Sequence, residues 1–244
     1  MSGATQQTAD ARRAELATAL ASVRDRVGAA CASAGRDPAE ITLVVVTKLF
    51  PASDVLLLHE LGVRAIGENK DQEAGPKIAE VRTALGGDAD LELHFVGRLQ
   101  SNKARHVACY ADVVHSVDRI KLLRGLSAGA VERGRPLSVL IQVSLDGDTG
   151  RGGVLPADVP ELAAAVVDRA GLVLKGVMAI APVEADPDDS FALLGEVVSG
   201  IRALHPGADW VSAGMSGDLE AAIRHGATHL RVGTAILGSR PSLL

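Results

Sequence analysis

The chain has 244 residues, 47% hydrophobic, 23% charged and only 2% aromatic, and 25 Lys and Arg against 30 Asp and Glu leave a formal charge of −5. This composition excludes a disordered chain, and the length suits a single α/β barrel of about 250 residues. Mild acidity also excludes reliance on a broad basic surface, so neither nucleic acid nor an acidic membrane is an expected partner.

Residues 1–10 are polar and lack a signal-peptide core, and no apolar run approaches the ~18 residues of a membrane span. A cytoplasmic location is therefore expected, with residues 1–10 flexible and residues 1–244 forming one domain. From Ala11 to Cys31 the residues Leu16, Leu20, Val23, Val27 and Cys31 recur at steps of four, three, four and four, which predicts an amphipathic helix. Cys31 and Cys109 match no disulfide framework or zinc pattern and are read as idle thiols.

Ile41–Val46 is a continuous β-branched run, the pattern of a parallel strand buried on both faces. Further strand candidates lie at Arg64–Ile66, Leu91–Val96, Asp112–Val117, Leu137–Leu145, Leu172–Ile180, Trp210–Ala213 and His229–Ile236. Between them, helices are predicted at Ser53–Leu61, Asp71–Thr83, Ser101–Ala108, Ile120–Glu132, Ala157–Arg169, Asp188–Ala203 and Asp218–His225. Strict alternation with eight strands predicts a (β/α)8 TIM-type barrel with an extra N-terminal helix. An open nucleotide-binding sheet is disfavoured, because Thr47-Lys48-Leu49-Phe50-Pro51 follows the first strand in place of a GxGxxG turn.

In such a barrel the chemistry sits where strands end. Lys48 closes the first strand at a partly desolvated mouth, and desolvation lowers a lysine pKa towards the neutral amine that Schiff-base chemistry needs. The same position would also suit a lysine that merely reaches water. At the far end, Ser212-Ala213-Gly214-Met215-Ser216-Gly217-Asp218 and Arg231-Val232-Gly233-Thr234 supply glycine backbone and the hydroxyls of Ser216 and Thr234, as a phosphate cup requires. Ser216 or Asp218 could alternatively cap the following helix. A lysine at one side and a phosphate cup at the other suggest a phosphorylated aldehyde cofactor.

These segments resemble the pyridoxal phosphate homeostasis proteins, single-domain relatives of the alanine racemase N-terminal barrel. The resemblance runs from Val44 to Gly238 and rests on Val46-Thr47-Lys48, Gly67-Glu68-Asn69, the HFVGRLQSNK segment from His94 to Lys103, GVMAIAP from Gly176 to Pro182, SAGMSGD from Ser212 to Asp218 and RVGTAILG from Arg231 to Gly238. It implies an aldimine between Lys48 and pyridoxal 5'-phosphate (PLP), with Ser216, Gly233 and Thr234 around the phosphate and Arg231 facing the pyridine nitrogen. By the same resemblance, Asn69, His94 and Met215 line the pocket. Thr47 stands where the family often has serine, and Ala213 where it often has methionine.

The implied role is a carrier or regulator of PLP that hands the cofactor to apo PLP-dependent enzymes, with no catalysis of its own and a monomeric state. The alternative is an amino-acid racemase, which needs a second acid–base group. The single tyrosine, Tyr110, falls in a predicted helix region, and His94 and His115 are the other candidates. A sugar-phosphate lyase would need carboxylates near the lysine; only Glu68 is well placed, and it could pair with Lys48, Arg98 or Arg231. His225 and His229 straddle Gly226 at a helix end, so no metal site is expected. Arg98, Lys103 and Arg105 form a small basic cluster, either a solvated helix start or a binding patch.

Overall fold

Thr42-Leu43-Val44-Val45-Val46 has no polar alternation, so as a strand (β1, Thr42–Val46) it needs cover on both faces. The computed structural model describes residues 2–86 and 90–239, and there a closed barrel provides that cover. Seven strands follow: β2 (Ala65–Glu68), β3 (Glu92–Phe95), β4 (Val113–Val117), β5 (Leu137–Val143), β6 (Leu172–Ala179), β7 (Trp210–Ser212) and β8 (His229–Val232). All pair in parallel in chain order, and β8 returns to β1 with Val44 opposite Arg231.

The helices are α1 (Ser2–Ala34), α2 (Ala52–Glu60), α3 (Asp71–Leu85), α4 (Ala104–Tyr110), α5 (Leu123–Glu132), α6 (Val159–Val167), α7 (Pro187–Leu204), α8 (Leu219–Arg224) and α9 (Thr234–Leu237). Alternation along the strands divides the core in two. Val45, Ile66, Phe95, Ile141, Val177 and Leu230 face outward and pack with the helices. Inside the barrel, Val113, Leu140 and Met178 form a separate cluster with Trp210 against it. Leu16, Leu20, Val23 and Cys31 of α1 are buried, and this helix packs on α2, α8 and α9.

The strand order agrees with the sequence reading, and of the element ends that differ three are the most informative. The first helix begins at Ser2 rather than Ala11. β2 runs on to Glu68, because its last residues keep pairing with β3, Glu68 opposite Phe95. The eighth strand stops at Val232 instead of Ile236. Gly233 breaks it: a Cβ there would lie 3.1 Å from the Val46 carbonyl oxygen, and the Ile236 and Leu237 amides both donate to the Gly233 carbonyl at 2.9 Å, winding α9.

Candidate functional site

At the end of β1 the Thr47 amide still donates to Gly67 O of β2 (2.9 Å), and the Phe50 amide then donates back to Thr47 O (3.1 Å), closing a tight turn. Leu49 in that turn has φ +69°, the one non-glycine residue with positive φ among those described. A left-handed leucine costs on the order of 1–2 kcal/mol, so something must hold it. The Glu73 carboxylate of α3 accepts the Leu49 N–H.

Glu73 belongs to a buried network. The Lys77 ammonium donates to Glu68 Oε1 (2.8 Å), Glu73 Oε1 (3.0 Å) and Thr47 O (3.0 Å), and the Thr47 hydroxyl donates to Glu68 Oε1 (2.6 Å). Glu68 has no exposed surface. Burial raises its carboxyl above the usual range, with Lys77 pulling the other way. Glu68 therefore pairs with Lys77, not with Lys48, Arg98 or Arg231: it is the outward-facing residue at the end of β2 and lies under α3.

Freed of that pairing, Lys48 is half-buried and makes no hydrogen bond or ion pair among the described residues. It opens into a cavity of about 540 Å³ at the C-terminal face of the barrel, a usual size for a small-molecule site. Asn69, Met215, Ser216, Arg231, Gly233 and Thr234 also line this space, together with Arg98 and Gln142. The described lining holds three cationic side chains, Lys48, Arg98 and Arg231, and no Asp or Glu.

Arg231 is 5% exposed. Its Nη1 donates to Ser212 Oγ (2.5 Å) and its Nη2 to Ala179 O (2.8 Å), and among the described residues no carboxylate forms an ion pair with it. Burial pulls its pKa down to about 10, opposed by Asp218, so it stays charged at neutral pH. Asn69 Oδ1 is buried without a partner among the described residues. Gly97 lies so close to it that a Cβ would sit 2.1 Å from the Asn69 carbonyl oxygen, so only glycine permits this approach of β3 to the Asn69 backbone.

The loop after β7 is fixed from two sides. Asp218 Oδ1 accepts the Met215 N–H (2.6 Å), and Arg26 of α1 donates to the Ser216 carbonyl (3.1 Å) while pairing with Glu220 (2.8 Å). Neither Ser216 nor Asp218 caps α8 through its side chain. Among the described residues the hydroxyls of Ser216 and Thr234 have no protein partner, and both residues line the cavity.

His94 is not in the cavity wall. Alternation on β3 sends Glu92, His94 and Val96 inward, and only Val96 reaches the mouth. His94 lies below, without exposed surface, bonded through Nδ1 to His115 Nε2 (2.8 Å). The basic cluster disperses: Arg98 donates to Gly150 O, Lys103 pairs with Asp71 and Arg105 with Glu132. The Tyr110 hydroxyl is also taken by Asp71 (3.1 Å), between α3 and α4, and neither residue lines the cavity. His225 bonds Asp188 (2.9 Å), whereas His229 lies inside the barrel with its ring 4.3 Å from that of Trp210, so they share no helical face. Cys31 is buried and Cys109 half-buried.

A larger cavity, about 690 Å³, opens at the opposite face, where the strands begin. Its arginines 82, 133 and 135 converge on Asp112 and on backbone carbonyls. In barrels of this type the chemistry lies at the other end, where the free amine and the uncompensated cations are found.

Fold and site define an alanine-racemase-type barrel, and sequence comparison agrees: the family described as alanine racemase, N-terminal domain, matches residues 18–241. The chain is 45% identical over 243 residues to the pyridoxal phosphate homeostasis protein of Mycobacterium tuberculosis, covering 94% of each chain. It also resembles a solved protein of unknown function from Bifidobacterium adolescentis (32% identity, TM-score 0.86, 93% and 96% coverage). A third relative is PipY of Synechococcus elongatus, solved with PLP bound (31% identity, TM-score 0.73, 91% and 100% coverage). The chain belongs to the pyridoxal phosphate homeostasis protein family.

Proposed function

We propose that this chain binds PLP, holds it through a Schiff base to Lys48, and acts in PLP homeostasis or delivery without turning over an amino acid. The observation that carries the reading is the mouth cavity itself: three cations, no acid in its described lining, and one amine with no protein partner. An anionic aldehyde fits that set. Lys48 Nζ is free to attack a carbonyl carbon, and the unpartnered hydroxyls of Ser216 and Thr234 with the Gly233 backbone suit the phosphate. Met215, partly exposed, also lines the cavity, and the orphaned Asn69 Oδ1 offers an acceptor within the wall.

The bound cofactor supplies an electrophilic aldehyde and a ring that can delocalise negative charge. Arg231, buried and without an ion-pair partner among the described residues, would disfavour a second positive charge on a pyridine nitrogen held beside it and so weaken that delocalisation. Racemisation would also need a second acid–base group. Besides Lys48, the described lining offers no His, Tyr, Cys, Asp or Glu, and this supports a carrier over an enzyme. A link that forms and hydrolyses reversibly suits a monomeric cytoplasmic protein passing PLP to apo-enzymes.

The test is to incubate the protein with PLP, reduce with borohydride and map the adduct by peptide mass spectrometry. A single adduct at Lys48, absent in Lys48→Ala, is expected; labelling scattered over surface lysines would overturn the reading. The carrier role predicts reactivation of an apo PLP enzyme and no Lys48-dependent α-proton exchange from any amino acid in deuterated water. Elution as a monomer in size-exclusion chromatography checks the assembly state.

A further inference from the structure

Below the mouth cavity a file of polar side chains runs through the barrel interior. Arg231 Nη1 meets Ser212 Oγ at 2.5 Å, His115 Nδ1 lies 2.9 Å from that oxygen, and His115 Nε2 lies 2.8 Å from His94 Nδ1. His94 Nε2 has one polar neighbour, Glu92 Oε2 at 3.4 Å, and no hydrogen-bond partner within ordinary range. Ser212, His94 and His115 have no exposed surface, so a misdirected proton here would leave a donor or acceptor unsatisfied in a dry interior.

Hydrogen-bond bookkeeping selects one arrangement of protons in the file, the one that gives the Ser212 hydroxyl proton an acceptor. A guanidinium only donates, so Ser212 Oγ accepts from Arg231. Its hydroxyl proton then has one acceptor among its bonded neighbours, His115 Nδ1. Burial, reinforced by the nearby Arg231 charge, holds His115 well below its ordinary pKa and hence neutral. With Nδ1 accepting, its proton is on Nε2 and is donated to His94 Nδ1. A neutral His94 then carries its own proton on Nε2, whose nearest polar group among the described residues is the half-exposed Glu92 carboxylate, 3.4 Å away and outside hydrogen-bond geometry. His94 is the largest influence holding that carboxyl below its usual range.

We propose that Ser212, His115 and His94 form a one-way hydrogen-bond relay, anchored by Glu92, that positions Arg231 and leaves its charge uncompensated towards the cavity. Every link transmits donor character downward, so the buried arginine is held by a neutral oxygen instead of a carboxylate. A carboxylate at Ser212 would hold the guanidinium as firmly, but would cancel the charge that faces the cavity. Ser212, His115 and His94 are thus positioning residues for Arg231. Their bearing on PLP rests on the function proposed above; the protonation pattern does not.

The test is 15N NMR of histidine-labelled apo-protein at pH 8, with His94 and His115 assigned from single His→Gln variants. Both rings are expected as neutral Nε2–H tautomers; an Nδ1–H tautomer at either would overturn the relay. In Glu92→Gln the side-chain oxygen still accepts and His94 keeps its tautomer, whereas Glu92→Leu removes the acceptor and shifts His94 towards a mixture. An unchanged His94 in Glu92→Leu would refute the anchor. Ser212→Ala should move the His115 Nδ1 resonance and raise the Kd for PLP about tenfold, the effect of one hydrogen bond to a charged group; a change under twofold would refute positioning. If borohydride trapping fails while both tautomers are as stated, the PLP reading falls and the relay stands.

Discussion

Replacing Lys77 by methionine isolates the network beneath the cavity lysine. Methionine matches the length of the lysine stem but cannot donate, so Glu68 Oε1, Glu73 Oε1 and Thr47 O each lose a bond of 2.8–3.0 Å. The losses are unequal. Glu73 is a quarter exposed and recovers water, whereas Glu68 has no exposed surface and keeps only the Thr47 hydroxyl. Removing one partner of a buried ion pair costs about 3–5 kcal/mol because the other charge is stranded. The stranded carboxyl can escape by taking up a proton, and this sets the pH dependence. Burial already raises the Glu68 pKa in the folded protein. The folded state therefore binds this proton more tightly than the unfolded chain, and the group favours folding increasingly as pH falls through its raised value, levelling off below about 4.3. The Lys77→Met deficit should thus be largest near pH 8 and shrink towards pH 5. In Lys77→Met with Glu68→Gln no charge is buried, so most of the loss should return. Urea unfolding followed through Trp210 fluorescence at both pH values measures this. A deficit under about 1 kcal/mol, or one independent of pH, would refute the assignment of Lys77 as the compensating charge.

Because Lys48 makes no polar contact among the described residues, Lys48→Ala should change stability by no more than about 0.5 kcal/mol while abolishing borohydride-trapped adduct, as read by urea unfolding and intact mass. Gly97→Ala forces a methyl against the Asn69 backbone (2.1 Å to its carbonyl oxygen); overpacking against main chain should cost about 3 kcal/mol, the upper end of the usual range, with weakened PLP binding measured by titration. Arg26→Ala removes a half-exposed ion pair and the bond to Ser216 O. Its stability cost should stay within about 1 kcal/mol, and the looser Met215–Asp218 loop should show as faster dissociation of PLP in stopped-flow exchange.

The barrel was legible because its signal is periodic: eight short apolar runs separated by amphipathic stretches admit few other architectures. Boundaries were less so. Ile236 and Leu237 are apolar enough to extend a strand, and only tertiary contact, the close approach of Gly233 to Val46 O, turns them into α9. Likewise, the polar residues preceding Ala11 carry no helical periodicity, yet α1 includes them.

Within the site, the inward or outward sense of each residue decided which assignments agree with the structure. Counting by twos along β1 and its extension places Val44, Val46 and Lys48 on one side, and on β8 it places His229, Arg231 and Gly233 there too. Lys48, Arg231 and Gly233 accordingly meet in one cavity. The same count on β2 puts Asn69 inward and Glu68 outward, under α3. That helix buries Ala74, Lys77, Ile78 and Val81, the i, i+3, i+4, i+7 stripe of a core-facing surface. A lysine on such a stripe needs a buried acceptor, and the outward Glu68 supplies it, so the pair could have been read from the sequence by combining the two periodicities. His94 follows the same rule: it is inward, but one layer below Val96, so it bonds His115 and does not line the cavity. What no periodicity supplies is the depth of each layer. The stagger of neighbouring strands sets that depth, and it exists only once the sheet has closed.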